Sequence, residues 1–190
     1  TNDAHLAEVA RHNLAAVLRT VGQPSRAATL QSRAIQQTLA SRDQLTPADL
    51  TGRALDAIEQ GDFALAENLL LRSLSVEKEA HCRSGEANDC ANLGCLALLR
   101  GDSAVGIRFL ARAYHLHREL NDHGNAGKDL MNLAEAFHEA SRWSLISRCL
   151  KRAISHFESC GALQSLRTAQ TRLHEIHRVQ HVLTRDPLLN

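Results

Sequence analysis

The sequence predicts an all-α solenoid of four helix pairs closed by a C-terminal capping helix. Three observations carry that expectation. A turn-like word returns on a nearly fixed period: GQPSRA from Gly22, GDFALA from Gly61, GDSAVG from Gly101 and SRWSLI from Ser141, in steps of 39, 40 and 40 residues. Small residues recur at two fixed distances from those turns. The composition is that of helices, with many Ala and Leu but only 3% aromatics and 3 prolines, a bias away from strand.

Seven residues before each turn residue stand Ala15, Ala54, Gly94 and Ala134, and twelve after it Ala34, Ser73, Ala113 and Ala153. Small side chains at two fixed points allow helices to cross closely. Apolar columns fill the space between: Leu14, Leu93 and Leu133 in one, interrupted by Arg53; Leu70, Leu110 and Leu150 in another, interrupted by Gln31; and Ile35, Leu74, Tyr114 and Ile154 in a third. The expected helices span 3–21, 25–41, 47–60, 63–82, 86–100, 103–121, 125–140, 143–159 and 162–184. They form repeats at about 3–42, 46–84, 85–124 and 125–161 of a single domain over 1–184, with 185–190 as a frayed tail.

Each boundary has a local cause. Thr46 is placed to cap a helix with Pro47 in its first position and Asp49 in its first turn. Asp62 and Asp102 follow glycines where the next helix needs an N-cap. Gly124 and Gly161 are expected to end second helices in the left-handed conformation. Ser41–Leu45 is the one expected loosened joint. The last helix repeats Leu163, Leu166, Leu173 and Ile176 at helical spacing and carries Arg, Gln and His elsewhere, as expected of a cap with an apolar docking face and a polar outer face.

Charge excludes several function classes. Lys and Arg number 22 against 21 Asp and Glu, so no basic field recommends nucleic acid and no basic tail a membrane surface. No run of about 18 apolar residues would span a bilayer, and no signal-peptide pattern is present. A segment preceding Thr1 could still carry a targeting signal. Five cysteines, odd in number and irregular in spacing, point to reduced thiols in a cytoplasmic setting.

These columns resemble the tetratricopeptide repeat. In the third unit Leu93-Gly94, Gly106, Leu110 and Ala113 match its pattern; in the fourth, Leu133-Ala134, Phe137, Leu150 and Ala153 do. No unit has Trp at the first motif position, where Arg11, Leu50, Cys90 and Leu130 stand. The period of 39–40 residues is similar to that of kinesin light chain and of the Pins/LGN-type adaptors, as are the words NLAAVLRTVG from Asn13 and NLAEAFHEAS from Asn132. The resemblance implies a right-handed superhelix whose first helices line a concave groove for a peptide or protein segment.

Asn13, Gly52, Asn92 and Asn132 share the column just before the Leu column. Carboxamides there offer donors and acceptors for an extended peptide backbone, the use such residues have in the resembling adaptors; the alternative is a bond to a neighbouring helix or to water. Arg19, Glu135 and His138 lie one helical turn on, with Lys128 and Met131 nearby. The clamp that holds chaperone-tail carboxylates needs a basic residue beside the Asn, where Thr51, Ala91 and Met131 stand, so that ligand is not expected. Arg33, Arg72, Arg112 and Arg152 form a column on second helices, expected as a solvated convex face. Trp143 and Phe63, just after their turns, are expected to wedge between the helices of their own pairs.

Eleven histidines invite a metal reading. His174, His177 and His181 share a helix face, but no zinc-ligand spacing is formed, and neither a nucleophile motif nor a phosphate loop is present. The expectation is a non-enzymatic adaptor with no metal and no cofactor, binding protein or peptide rather than nucleic acid or membrane, and monomeric rather than oligomeric. The alternatives are a peptide-sensing regulatory domain of a larger protein and a self-association module.

Overall fold

The computed structural model describes residues 45–139 and 142–185. The chain divides into two compact units, Thr1–Leu45 and Thr46–Asn190, and the described helices belong to the second. The helix pair expected at 3–42, with Asn13 and Arg19, lies outside the described residues.

Seven helices follow one another among the described residues: α1 (Pro47–Glu59), α2 (Phe63–Glu79), α3 (Arg83–Leu99), α4 (Ser103–Glu119), α5 (His123–Glu139), α6 (Trp143–Cys160) and α7 (Leu163–Arg185). Each packs on the next, making three pairs, α1/α2, α3/α4 and α5/α6, with α7 laid on the last; α1 also touches α3, and α3 touches α5. From α2 onward the helices begin at 63, 83, 103, 123, 143 and 163, one every 20 residues. The 40-residue period is therefore two equal half-steps, with a turn after the second helix of each pair as tight as the turn inside it.

One device makes the five turns whose residues are all described. In α1–α2 the Asp62 N–H reaches the Ala57 carbonyl at 2.8 Å and the Gly61 N–H the Ile58 carbonyl at 3.0 Å. The same two bonds recur at Cys82 and His81, Asp102 and Gly101, Asp122 and Asn121, and Ala162 and Gly161. This C-capping motif requires one left-handed residue, and that residue is Gly61, His81, Gly101, Asn121 and Gly161 in turn, with φ between 53° and 79°. The residue after it then caps the next helix. Asp62 accepts from the Leu65 N–H, Asp102 from Val105 and Asp122 from Asn125, while Cys82 forms no side-chain cap. Gly161 ends α6 as expected, but Gly124 does not end α4. It lies inside α5, and Asn121 holds the left-handed position, which Asn tolerates because its short polar side chain bonds locally. The expected helices 63–82 and 103–121 accordingly stop at 79 and 119, and those expected from 86 and 125 begin at 83 and 123.

The small-residue columns mark the crossings within pairs. Ala54, Gly94, Ala134, Ser73, Ala113 and Ala153 are all buried. A Cβ on Gly94 would stand 2.6 Å from Leu110 Cγ on α4, and one on Gly106 3.2 Å from the Gly94 carbonyl oxygen. Ala134 packs with Ile146 and Leu150 on α6, and Trp143 lies against this cluster, its ring edge-on to His138 of α5 at 5.5 Å. A larger core joins Leu110, Leu130, Leu133, Ala153, Phe157 and Ala169, so that α7 contributes to it through Ala169. Leu166, Leu173 and Ile176 dock as expected. Leu163 does not: as the first residue of α7 it projects beyond the crossing and is 68% exposed. No described helix is long and apolar enough to cross a membrane.

Candidate functional site

The face shared by the first helices α1, α3 and α5, and by α7 in the place of a further first helix, carries the amide column. Arg172 of α7 continues it, one 40-residue step beyond Asn132. Two members reach back to the preceding helix in the same way. The Asn132 amide donates to Cys95 Sγ at 3.2 Å, and the Arg172 guanidinium donates to Glu135 at 3.1 Å; each partner lies 37 residues earlier. The same offset from Asn92 leads to Leu55, which is 45% exposed and offers no acceptor. Asn92 is half-buried and its side chain has no hydrogen-bonded partner among the described residues. Gly52 precedes it in the column, and a Cβ there would meet no described residue within 4 Å. Among the described residues the column is thus without side-chain ties at Gly52 and Asn92 and tied down at Asn132 and Arg172.

The remaining candidates gather on α5. Lys128 is exposed and donates to Asn125 at 3.2 Å. Met131 is half-buried and packs against both core clusters. Glu135 and His138 line a groove of about 230 Å³ with Ile146 and Leu150 of α6 and Arg172, Glu175 and Ile176 of α7. The convex-face expectation for the Arg column is only part of what Arg112 does. Its guanidinium donates through Nε at 3.0 Å to Glu86 on α3 and through a second nitrogen to the same oxygen. Glu86 is nearly buried, so Arg112 balances its charge.

Two buried polar relays stand behind the first-helix face. Thr51 of α1 donates to Asp89 of α3 at 2.8 Å. Ser73 of α2 lies 3.1 Å from the Thr51 hydroxyl and donates to the Pro47 carbonyl. The second carboxylate oxygen of Asp89 is buried with no partner among the described residues, and burial pushes this carboxyl above the usual range. Forty residues on, Asp129 of α5 stands 2.7 Å from His117 Nδ1 of α4, both side chains 3% exposed, and His117 Nε2 is 3.2 Å from Asn88 Oδ1 of α3. Burial raises Asp129 against the opposing pull of His117. The sequence offered a signal for these groups in the spacing of Asp49, Asp89 and Asp129, one per repeat. Asp49 bonds Thr46 in a capping box at the start of α1, so one column serves two purposes.

His174, His177 and His181 are exposed on α7, and no three His, Cys, Asp or Glu among the described residues are gathered to hold a metal ion. The cysteines are free thiols, and burial pushes Cys90 up to about 11, so it packs as a small apolar group.

No protein-family model matches the chain, and no curated protein does. Solved structures do match. BtubC (BKLC) from P. vanneervenii aligns at 15% identity over 88% of this chain and 78% of its own, with a TM-score of 0.53. The nearly identical TPR-like repeats of a putative kinesin light chain from Podosopora anserina align at 14% identity over 96% and 98%, with a TM-score of 0.54. A second structure of those repeats gives 13%, 98% and 99%, again with 0.54. At these identities the likeness shows the fold: the chain is an all-α helical-repeat solenoid of the TPR-like kind.

Proposed function

We propose that the protein is a non-enzymatic, cytoplasmic interaction scaffold that holds an extended peptide or protein segment along a concave face formed by its first helices. The observation that carries this reading is Asn92, a half-exposed carboxamide whose side chain has no partner among the described residues, in one column with Gly52 and Asn132. An amide so placed can donate to and accept from a peptide backbone. Asn132 keeps its carbonyl oxygen for the same purpose while its NH₂ is held by Cys95. TPR-like neighbours make a protein partner the natural occupant, and the near-neutral net charge favours one over nucleic acid.

The test begins with a random peptide library displayed on phage and selected against the chain. Selected peptides are then titrated calorimetrically into the parent and into Asn92→Ala, with circular dichroism as the folding control. One lost hydrogen bond to the peptide corresponds to about 0.5–1.5 kcal/mol, so a genuine groove ligand binds Asn92→Ala a few-fold to about tenfold more weakly. Selected peptides that bind a folded Asn92→Ala as tightly as the parent refute this placement.

A further inference from the structure

The groove between α5, α6 and α7 has a chemistry of its own. Its floor is aliphatic, from Ile146, Leu150 and Ile176, and its rim carries Glu135, Glu175, Arg172 and the His138 imidazole. At about 230 Å³ it is smaller than cavities that take drug-sized ligands and suits a single long side chain. Glu135 is paired with Arg172 at 3.1 Å, both half-exposed. Glu175 has no ion-pair or hydrogen-bond partner among the described residues. The rim therefore holds one carboxylate in excess over an aliphatic floor.

Resting on the groove reading above, we propose that this pocket takes a lysine or arginine side chain of the bound segment. Such a side chain has two parts, an apolar stem of methylenes and a cationic head, and it is stable where the stem covers apolar surface while the head stays at a polar edge. Here the stem lies on Ile146 and Ile176 and the head meets Glu175. Arg172 opposes the incoming cation but does not exclude it, because its own charge is already engaged by Glu135. An acidic side chain would leave Glu175 facing a like charge over an apolar floor. A short aliphatic side chain would gain the floor and forgo the rim. The pocket thus gives the first-helix face a side-chain preference that backbone-reading amides do not have.

The test uses the full chain with isotope-labelled isoleucine and leucine methyls and backbone amides, titrated with three blocked pentapeptides of alanine carrying a central arginine, norleucine or glutamate. Norleucine supplies the stem without the charge. The expected result is that the arginine peptide shifts the Ile146 and Ile176 methyls, binding about threefold or more tighter than norleucine, and that glutamate leaves them unmoved. Glu175→Gln should remove that margin, and Arg172→Gln should widen it by freeing Glu135. Equal or stronger binding of the norleucine or glutamate peptide overturns the proposal, as does weaker arginine binding to a folded Arg172→Gln. Shifts confined to Asn92 and Leu55, alike for all three peptides, overturn the pocket assignment and leave the groove reading standing. No shift on either region at saturation counts against both.

Discussion

Gly94 and Gly52 occupy the middle of first helices in equivalent repeats, yet their replacement by alanine should have opposite effects. Alanine is favoured over glycine inside a helix by about 1 kcal/mol. At Gly52 no described residue lies within 4 Å of the added Cβ, so Gly52→Ala should gain most of that amount. At Gly94 the Cβ would stand 2.6 Å from Leu110 Cγ and 3.1 Å from the Leu110 backbone nitrogen. Leu110 is fully buried among Leu130, Leu133, Ala153 and Phe157, so it has no free space to retreat into, and the backbone contact yields only if α4 itself moves. Overpacking of this kind costs roughly 1–3 kcal/mol. Subtracting the same helix gain leaves Gly94→Ala less stable than the parent by up to about 2 kcal/mol. The gap between the two variants isolates the crossing. Urea unfolding of parent and both variants, followed by circular dichroism, measures it. If Gly94→Ala proves as stable as Gly52→Ala, the close approach of α3 to α4 is not what holds that position small.

Three further outcomes follow from the turns and the buried charges. His81→Gly should stabilise by up to about 1 kcal/mol, since a β-carbon is strained at positive φ, whereas Asn121→Gly should change stability by less than about 0.5 kcal/mol; denaturant midpoints decide between them. Asp89 is held above its unfolded pKa by burial, so the stability it contributes is present below the unfolded value and is lost as pH rises through the folded one. Asp89→Asn, which keeps an acceptor for Thr51, should therefore gain on the parent as pH is raised from about 4 to 7, by about 1 kcal/mol at the upper end, read from urea midpoints against pH; a constant difference refutes this. His156 behaves in the opposite sense: burial first, then His123 at 3.0 Å, holds it below its ordinary value. Stability present above its unfolded pKa is lost as pH falls through the folded one, and His123→Gln should reduce the drop in melting temperature between about pH 7 and 5.

The turns at Gly61 and Gly101 were legible in the sequence because glycine followed by aspartate joins a left-handed residue to an N-cap. Those at His81 and Asn121 were not, because a side chain in that conformation leaves no compositional mark, and Gly124 drew the boundary to itself. The same asymmetry governs the candidate site. The amide column was visible from its period, but the bond from Asn132 to Cys95 joins residues in different columns and becomes apparent only once α3 and α5 lie side by side. The burial of Asp89, Asp129 and Glu86 has no mark in the sequence beyond the one-per-repeat spacing of the aspartates, since what permits it is a partner on another helix: Thr51, His117 and Arg112. Leu163 read as a docking residue on spacing alone, and its place at the start of α7 leaves it in solvent.

The turns between the described helices contain almost no spare chain. In the five turns at Gly61, His81, Gly101, Asn121 and Gly161 the left-handed residue closes the C-cap of one helix and is followed at once by the N-cap position of the next, so none of these joints can open without breaking a C-cap. Bending of the stack cannot then concentrate at any of these five turns. Across them it is distributed as small sliding motions at the helix interfaces, in the manner of a coil spring rather than a jointed arm. A partner lying along several first helices would meet a surface that stretches or tightens gradually along its length. The stiffness at any one point would be set by how closely neighbouring helices cross, as where Gly94 and Gly106 bring the backbones of α3 and α4 close together.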